Sequence, residues 1–307
     1  MKNAHIFERE TFDFVKIQDE AKKDLNGLIT SCEEFYHNQI KSIADDIAHN
    51  SEIKIVLMAG PSSSGKTTSS NLIREYLANY GFESIVVSMD DFFLNRDKTP
   101  RLPDGSFDFE NYTAVDLEYL NQFDDDHFVK GEAKMPIFNF KTGYREEKMV
   151  DIKLNPNTIV IIEGIHPLNP AVFKAHLENM YKIYICLNTN FDNGEYGIIP
   201  AQKIRLMRRL IRDYRTRGMS IGATLNTWHN VLEGEDKYIK PYKNTADFLL
   251  NSTHGYEPMM YCKYLKPLLE KEHDHELAKV LLKYLNNIEP LDKKYLPEDS
   301  LLHEFLG

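Results

Sequence analysis

Five short apolar runs, separated mostly by segments with helical spacing, dominate the pattern of hydrophobic and polar positions along the chain. The runs are IKIVLMA (53–59), ESIVVSM (83–89), TIVIIEG (158–164), KIYICL (182–187) and ADFLLN (246–251). Short, unbroken, β-rich runs are typical of strands that are buried on both faces of a sheet. Helical patterns such as TTSSNLIREYLANY and AQKIRLMRRLIRDYRTRG lie between most of them. This alternation predicts an α/β fold with a parallel sheet and helices on both of its faces.

The segments on either side of these runs show helical patterns. Residues 1–50 are predicted to form an N-terminal helical segment, because apolar residues recur in it at about helical spacing. Those apolar residues are Phe35, Ile40, Ile43, Ala44 and Ile47. Residues 51–256 would form the central domain, and residues 257–307 a C-terminal helical extension. Residues 132–153 differ from the rest and predict an inserted β-hairpin that turns at Lys141-Thr142-Gly143.

The composition narrows the classes of protein to which the chain can belong. With a net charge of −10 over 307 residues, it is not expected to bind nucleic acid or anionic membranes in general. No apolar stretch approaches the roughly 18 residues of a membrane-spanning helix, and the charged start does not predict a secretory signal. The three cysteines form no metal or redox spacing, so we expect a cytoplasmic protein in a reducing compartment.

The stretch GPSSSGKTT (60–68) directly follows the first apolar run. It satisfies the pattern G-x-x-x-x-G-K-[ST], in which backbone N–H groups and the start of the next helix hold phosphate oxygens. Lys66 would reach the β- and γ-phosphates of a nucleotide, and Thr67 would bind Mg²⁺. The alternative is a Ser/Gly-rich turn without a ligand. The predicted nucleotide contacts of this loop are Gly60, Ser62, Ser63, Ser64, Gly65, Lys66, Thr67 and Thr68.

Two carboxylates follow other apolar runs. Asp90 comes directly after ESIVVSM, and Glu163 lies at the end of TIVIIEG. Because the carboxyl ends of parallel strands meet at one edge of a sheet, we expect both beside the phosphate loop. Asp90 would accept the proton of an attacking hydroxyl or help to hold Mg²⁺, and the alternative is a helix cap. With Glu163 binding Mg²⁺ directly or through water, the predicted metal ligands are Thr67, Asp90 and Glu163.

The stretch RLMRRLIRDYRTRG concentrates arginines in an acidic protein. Arg205, Arg209 and Arg212 lie on one face of the predicted helix by their spacing. Such a cluster predicts a lid at about residues 201–220 that closes on phosphates. Arginines in such a lid would stabilise charge on the transferred phosphoryl group. The alternative is a solvated basic helix that pairs with acidic neighbours.

Taken in order, these motifs resemble those of the uridine/cytidine kinase branch of the phosphoribulokinase–uridine kinase family. The matching stretches are GPSSSGKTT, SMDDFF, FDFENYTAVD, MPIFNFKTGYR, IIEGI, RLMRRLIRDYRTRG and TADFLLN, from about residue 53 to residue 251. The chain is most similar to bacterial uridine kinase-like proteins whose extra N-terminal region, related to threonyl-tRNA synthetase, would be mostly missing here. The resemblance implies a P-loop NTPase-type kinase that uses ATP and Mg²⁺ to phosphorylate a small molecule, above all the 5′-hydroxyl of a nucleoside.

The resemblance also implies roles for individual residues. Asp90 matches the aspartate that activates the 5′-hydroxyl, and Glu163 matches the glutamate that is linked to Mg²⁺. Glu110 stands where the family has an aspartate that binds the ribose hydroxyls, and the longer carboxylate can still accept two hydrogen bonds. The arginine matches are Arg209 near the sugar, and Arg212 and Arg217 near the nucleotide phosphates. The match implies that Arg212 is a catalytic residue.

The predicted base pocket departs from the family pattern. Uridine kinases of this type have a hairpin similar to P-x-Y-D-F-x-x-H-S-R, whereas this chain has PIFNFKTGYR at residues 136–145. Phe138 takes the place of the tyrosine and Gly143 that of the base-reading histidine. The contact that would distinguish bases is therefore missing, although Phe138 can still stack on a ring. The predicted acceptor contacts are Asp90, Phe93, Phe109, Glu110, Phe138, Tyr144, Arg145 and Arg209.

Several alternatives stay open at this point. The acceptor can be a nucleoside, or a different molecule such as pantothenate or a sugar phosphate, for which Lys141 and Arg145 are candidate anion contacts. A nucleotide-binding regulatory protein without turnover is a further alternative, but it would need fewer of the charged residues. The sequence does not decide between ATP and GTP, and it is compatible with a homo-oligomer.

Overall fold

The computed structural model describes residues 9–153, 155, 158–173 and 179–307, with the backbone alone over residues 124–130. The strands are β1 (Glu10–Asp13), β2 (Ile55–Ala59), β3 (Ser84–Ser88), β4 (Glu132–Met135), β5 (Phe138–Asn139), β6 (Tyr144–Arg145), β7 (Val150–Lys153), β8 (Ile159–Gly164), β9 (Met180–Cys186), β10 (Thr189–Asp192), β11 (Ile198–Ile199) and β12 (Phe248–Asn251). The helices are α1 (Phe14–Lys23), α2 (Leu25–Ala48), α3 (Lys66–Asn79), α4 (Leu117–Lys130), α5 (Ala201–Thr216), α6 (Ile221–Tyr238), α7 (Glu257–Tyr264), α8 (Lys266–Leu269), α9 (Glu276–Leu285) and α10 (His303–Leu306). Within the described ranges, no helix is long and apolar enough to cross a membrane.

The central sheet holds five parallel strands in the order β12-β9-β2-β8-β3. Every residue of β2 and β8 is buried, because both faces of the sheet are covered. Alternate residues of β2 enter two different cores. Val56 and Met58 pack with residues of α2, α3 and α5, whereas Ile55 and Leu57 pack with residues of α4 on the opposite face. All five apolar runs form this sheet, so the predicted α/β fold with a parallel sheet is confirmed.

The long helix α2 packs on the sheet through one of its faces. Ile40, Ile43, Ala44 and Ile47 are fully or almost fully buried, as their spacing predicts. The expected position of Phe35 on the same face is wrong, because its side chain is 47% exposed. Tyr36 takes that place, since a residue four positions before Ile40 shares its face of the helix. The Tyr36 hydroxyl also shares a hydrogen bond of 2.7 Å with a serine hydroxyl of α3.

The C-terminal residues pack into the same core as the sheet. Leu301, Leu302, Phe305 and Leu306 are all at most 1% exposed, and they belong to the core that also holds residues of α2, α3 and α5. The flanking segments therefore share one of the two cores with one face of the sheet. The division at residues 50 and 256 stays a prediction from the sequence.

The insertion between α4 and β8 consists of two short antiparallel ladders. β4 pairs with β7, and β5 pairs with β6 around the turn at residues 140–143. Gly143 has φ +78°, and a Cβ at this position would lie 2.5 Å from Nε of Arg96, so the turn favours glycine here. The carboxylate of Asp91, which follows β3, accepts a hydrogen bond of 3.1 Å from the backbone N–H of Phe138. This contact fixes the hairpin beside the carboxyl end of β3.

Candidate active site

The loop between β2 and α3 follows the backbone path that a phosphate site needs. Gly65 has φ +95° and Ser63 has φ +62°, so the chain curls sharply before α3 begins. A Cβ at Gly60 would collide with the backbone carbonyl of Ile185 in β9, and only glycine allows this close approach. The loop therefore lies directly over the carboxyl edge of the sheet, with the first turn of α3 facing the same space.

Lys66 lies at the centre of this loop with little exposure to solvent. Its Nζ donates hydrogen bonds to the backbone oxygens of Gly60 at 3.0 Å and Pro61 at 3.2 Å. Burial lowers the pKa of Lys66, while the carboxylates of Glu163 and Asp90 favour its charged form. The ammonium group and the two predicted carboxylates therefore occupy one electrostatic cluster.

The oxygen donors predicted to hold a metal lie together at this edge. β8 lies between β2 and β3, so Glu163 at the end of β8 faces both the phosphate loop and Asp90. The Thr67 hydroxyl lies 3.4 Å from Oε1 of Glu163. Burial and the charge of Asp90 raise the pKa of Glu163 to about 7, while the ammonium of Lys66 opposes this effect.

This set of donors fits Mg²⁺ better than a metal that needs a complete protein cage. Within the described part of the chain, no group of three or more His, Cys, Asp or Glu side chains could hold a metal ion. One hydroxyl and two carboxylates leave the remaining positions of an octahedron to phosphate oxygens and water. That arrangement is the usual one for Mg²⁺ at a nucleotide site.

The arginines of α5 divide into structural and site-facing side chains. Arg208 is completely buried, and its guanidinium forms an ion pair with Glu257 and donates to the backbone oxygen of Ser252 at 2.7 Å. Arg205 donates to the backbone oxygen of Ser62 at 3.1 Å and forms an ion pair with Glu235 of α6. Both side chains anchor α5 beside the phosphate loop.

Asp213 organises the remaining arginines of α5, and the sequence patterns did not single it out. Its carboxylate lies 3.3 Å from Arg209, 2.8 Å from Arg212 and 3.8 Å from Arg217. Burial would raise the pKa of Asp213, but the three guanidinium groups outweigh it and hold the pKa below its usual value. The signal for this role was present as an aspartate at helical spacing from Arg209 and Arg217.

Two of these arginines face the predicted phosphate space. Both terminal nitrogens of Arg212 lie 3.4 Å from the hydroxyl of Ser62 in the phosphate loop. Arg217 lies over the ring of Phe140 at 5.0 Å and therefore joins α5 to the hairpin. Burial and the charge of Arg212 lower the pKa of Arg217 to about 10, while Asp90 favours its charged form. The arginines thus connect the loop, Asp90 and the hairpin.

Glu110 lies deep beside α5 and α6. One of its oxygens lies 4.0 Å from Arg209, and a Cβ at Gly234 of α6 would collide with its side chain. Burial raises the pKa of Glu110, although Arg209 opposes this effect. Oε2 of Glu110 has no hydrogen-bond partner among the described residues, and the ring of His166 is buried nearby. Burial lowers the pKa of His166 to about 3, so its ring is neutral.

Predicted aromatic contacts form a cluster next to this carboxylate. Phe93 and Phe138 are almost buried, and their ring centroids lie 5.7 Å apart. Phe109 is 38% exposed and packs edge-on against Phe93 at 6.1 Å. Tyr144 lies on β6 with its side chain 46% exposed. The structure thus brings together Phe93, Phe109 and Phe138, while Tyr144 lies on the open surface of the hairpin.

The guanidinium of Arg145 donates hydrogen bonds to backbone oxygens of the protein. Its Nε donates to the oxygen of Phe93 at 3.1 Å, and Nη2 donates to the oxygen of Phe92 at 2.8 Å. Nη1 forms an ion pair of 3.0 Å with Asp116. In this arrangement Arg145 ties the hairpin to the segment after β3, and a direct contact between Arg145 and an acceptor stays a prediction.

The comparisons with known proteins identify the family of the chain. The sequence pattern of the Phosphoribulokinase / Uridine kinase family matches residues 55–255. The chain belongs to this family. Its members are ATP-dependent kinases, so the protein is a phosphotransferase of the P-loop type.

Individual relatives of this kinase are distant. A uridine kinase from Ureaplasma parvum serovar 3 is 22% identical over 235 residues, which cover 76% of this chain and 96% of the relative. A uridine kinase from Staphylococcus aureus (strain Newman) is 26% identical over 205 residues, covering 64% of this chain and 86% of the relative.

Solved structures are similar to the chain at lower identity. A protein from Silicibacter sp. TM1040, provisionally named a fructose transport system kinase, has a TM-score of 0.50 and 18% identity, covering 68% of this chain and 98% of that one. A possible uridine kinase from Bacillus stearothermophilus has a TM-score of 0.47 and 18% identity, covering 69% of this chain and 97% of that one.

The kinase also has a contact that the sequence patterns missed. Glu304 in α10 accepts hydrogen bonds from the backbone N–H of Thr68 at 3.1 Å and from its hydroxyl at 2.8 Å. A Cβ at Gly65 would collide with the side chain of Leu301. The end of the chain therefore covers part of the phosphate loop. No local pattern in LLHEFLG points to this contact, because its partners lie more than two hundred residues earlier.

Proposed function

We propose that this kinase transfers the γ-phosphoryl group of ATP to the 5′-hydroxyl of a nucleoside. The observation that carries the proposal is the convergence of Lys66, Thr67, Asp90 and Glu163 at one edge of the sheet, beside the buried carboxylate of Glu110. The four residues at the sheet edge have the functional groups that phosphoryl transfer needs. The carboxylate of Glu110 suits an acceptor that carries several hydroxyls. The names of the relatives support a nucleoside as that acceptor.

The phosphate side of the reaction depends on charge neutralisation and alignment. The N–H groups of the loop would hold the α- and β-phosphates, and the ammonium of Lys66 would reach the β- and γ-phosphates. Thr67, Asp90 and Glu163 would hold Mg²⁺, which supplies positive charge to the phosphates when it is bound. Arg212 and Arg217 would stabilise the phosphoryl group during transfer, since Arg212 already lies against Ser62 of the loop.

The acceptor side depends on Asp90 and Glu110. Asp90 would accept the proton of the attacking hydroxyl as its oxygen forms a bond to the γ-phosphorus. The bond between the γ-phosphorus and the β,γ-bridging oxygen of ATP breaks in the same step, and ADP leaves. The unpartnered Oε2 of Glu110 would accept a hydrogen bond from a sugar hydroxyl, and Arg209 would hold the other oxygen of that carboxylate. The rings of Phe93 and Phe138 would form the apolar wall of the pocket.

The structure also favours a second candidate acceptor, a neutral polyol other than a nucleoside. The position expected to read the base is Gly143, a turn glycine that packs against Arg96 and offers no side chain. An anionic acceptor such as a sugar phosphate is less well supported, because Arg145 already contacts Phe92, Phe93 and Asp116. Glu110 serves either neutral acceptor equally well.

A panel of acceptors decides between these candidates. Purified protein with ATP and Mg²⁺ is incubated with uridine, cytidine, the purine nucleosides, neutral sugars and pantothenate, and phosphorylated products are identified by mass spectrometry. We expect a nucleoside 5′-phosphate. Turnover confined to a neutral sugar would replace the nucleoside proposal with the polyol alternative, and turnover with none of them would contradict both.

A further inference from the structure

The last helical turn of the chain places an anion on the donor side of the phosphate loop. Oε2 of Glu304 accepts hydrogen bonds from both the N–H and the hydroxyl of Thr68. Thr68 is the third residue of α3, so its N–H is one of the free donors at the start of that helix. Glu304 thus accepts a hydrogen bond from an N–H group that belongs to the phosphate site.

The donor nucleotide needs the same N–H group of Thr68 for one of its phosphates. Backbone N–H groups of such a loop and of the first turn of its helix hold the phosphates nearest the nucleoside, while the lysine reaches the outer ones. A carboxylate and a phosphate cannot accept the same hydrogen bond, and their negative charges repel each other. We propose that Glu304 competes with the donor nucleotide for Thr68 and must withdraw before the donor phosphate binds. This inference rests on the proposed function of the loop as the ATP site.

The contacts around Glu304 hold its segment of the chain in place. Withdrawal from Thr68 therefore requires a movement of the Glu304 side chain only. Ser300 donates a hydrogen bond of 2.6 Å to Glu33 of α2, and the ring of Phe305 lies 4.8 Å from the guanidinium of the buried Arg208. Leu301 packs against Gly65. These buried contacts hold the segment on both sides of Glu304. Because the segment is fixed, the competing carboxylate is held at a high local concentration.

The competition is tested by measuring nucleotide affinity without any acceptor. The dissociation constants of ADP and ATP are determined by calorimetry for wild type, Glu304→Gln and Glu304→Asp, with Mg²⁺ present. The first variant removes the charge and keeps the shape, and the second withdraws the carboxylate by one methylene. We expect about tenfold tighter binding in both variants, from the loss of a charge-assisted contact to Thr68. Glu298→Gln, an exposed glutamate of the same segment, is the matched control and should bind as wild type does.

The possible results separate this inference from the proposed function. Unchanged or weaker binding in the folded Glu304 variants, with Glu298→Gln at the wild-type level, would overturn the competition and leave Glu304 as a cap of α3. Absence of nucleotide binding in every protein, wild type included, would contradict the donor site and the competition together. Since no acceptor enters the assay, a wrong nucleoside assignment leaves its result unchanged. Near-ultraviolet circular dichroism checks the fold, and either Glu304 variant alone is sufficient for the test.

Discussion

Glu33 joins three distant parts of the chain, and its replacement should lower the stability of the fold considerably. Its carboxylate lies in α2 and is 5% exposed. It accepts hydrogen bonds from the hydroxyl of Tyr256, from Nε2 of His254 at 3.2 Å and from the hydroxyl of Ser300 at 2.6 Å. The variant Glu33→Gln keeps the shape of the side chain and removes its charge, so it isolates the electrostatic part of these contacts.

The size of the expected loss in stability follows from the pKa of Glu33. Burial alone would raise the pKa of Glu33, but the contacts with His254, Ser300 and Tyr256 outweigh it and lower the pKa from 4.5 to about 2. Since each pKa unit corresponds to about 1.4 kcal/mol, the charged carboxylate contributes about 3 kcal/mol to the free energy of unfolding. The pKa is lower in the folded than in the unfolded state. The contribution is therefore complete above the unfolded value and is lost as the pH falls from about 4.5 towards 2.

Urea unfolding at pH 7 measures this contribution directly. We expect Glu33→Gln to lose about 3 kcal/mol, and the difference from wild type to shrink when the pH is lowered below 4.5. Glu34→Gln changes the same charge on the adjacent, exposed position and should leave the stability within about 0.5 kcal/mol of wild type. A loss below about 1 kcal/mol for Glu33→Gln, or a difference that does not depend on pH, would show that the charge of Glu33 does not stabilise the fold in this way.

Two further predictions concern the supports of the site. Arg208→Met leaves the carboxylate of Glu257 buried without its ion-pair partner. The variant should lose about 3–5 kcal/mol in the free energy of unfolding, measured in urea. A loss within about 1 kcal/mol would contradict the structural role of the pair. Gly143→His should cost about 1–3 kcal/mol because φ is +78° and the new side chain meets Arg96. Gly105→His is the control, since its φ is +84° with no atom within 4 Å. A Gly143 variant no less stable than this control would show that the contact with Arg96 adds nothing.

The sheet and the phosphate loop could be predicted from the sequence because their signals are local. An apolar run of five to seven residues identifies a buried strand without knowledge of its partners, and the glycine spacing of the loop identifies its curvature. The meeting of Asp90 and Glu163 was also predictable, because parallel strands place their carboxyl ends at one edge. What these patterns could not provide was the exact face of a helix, as the exchange of Phe35 for Tyr36 in α2 illustrates.

The contacts that depend on distant segments could not be predicted. Helical spacing placed Arg205, Arg209 and Arg212 on one face, but their partners are set by the packing of α5 against α6 and the loop. The contact of Glu304 with Thr68 spans 236 residues, and no short motif encodes a pairing of that kind.

The proposed role of Asp90 is to activate an acceptor hydroxyl beside the phosphate loop. It is tested most directly by the rate of phosphoryl transfer from ATP to the preferred acceptor in wild type, Asp90→Asn and the control Asp97→Asn, an exposed aspartate in the next turn of chain. We expect Asp90→Asn to bind ATP but to lose about 10²–10⁴-fold in kcat, and Asp97→Asn to retain the wild-type rate. Transfer at the wild-type rate by Asp90→Asn would contradict it.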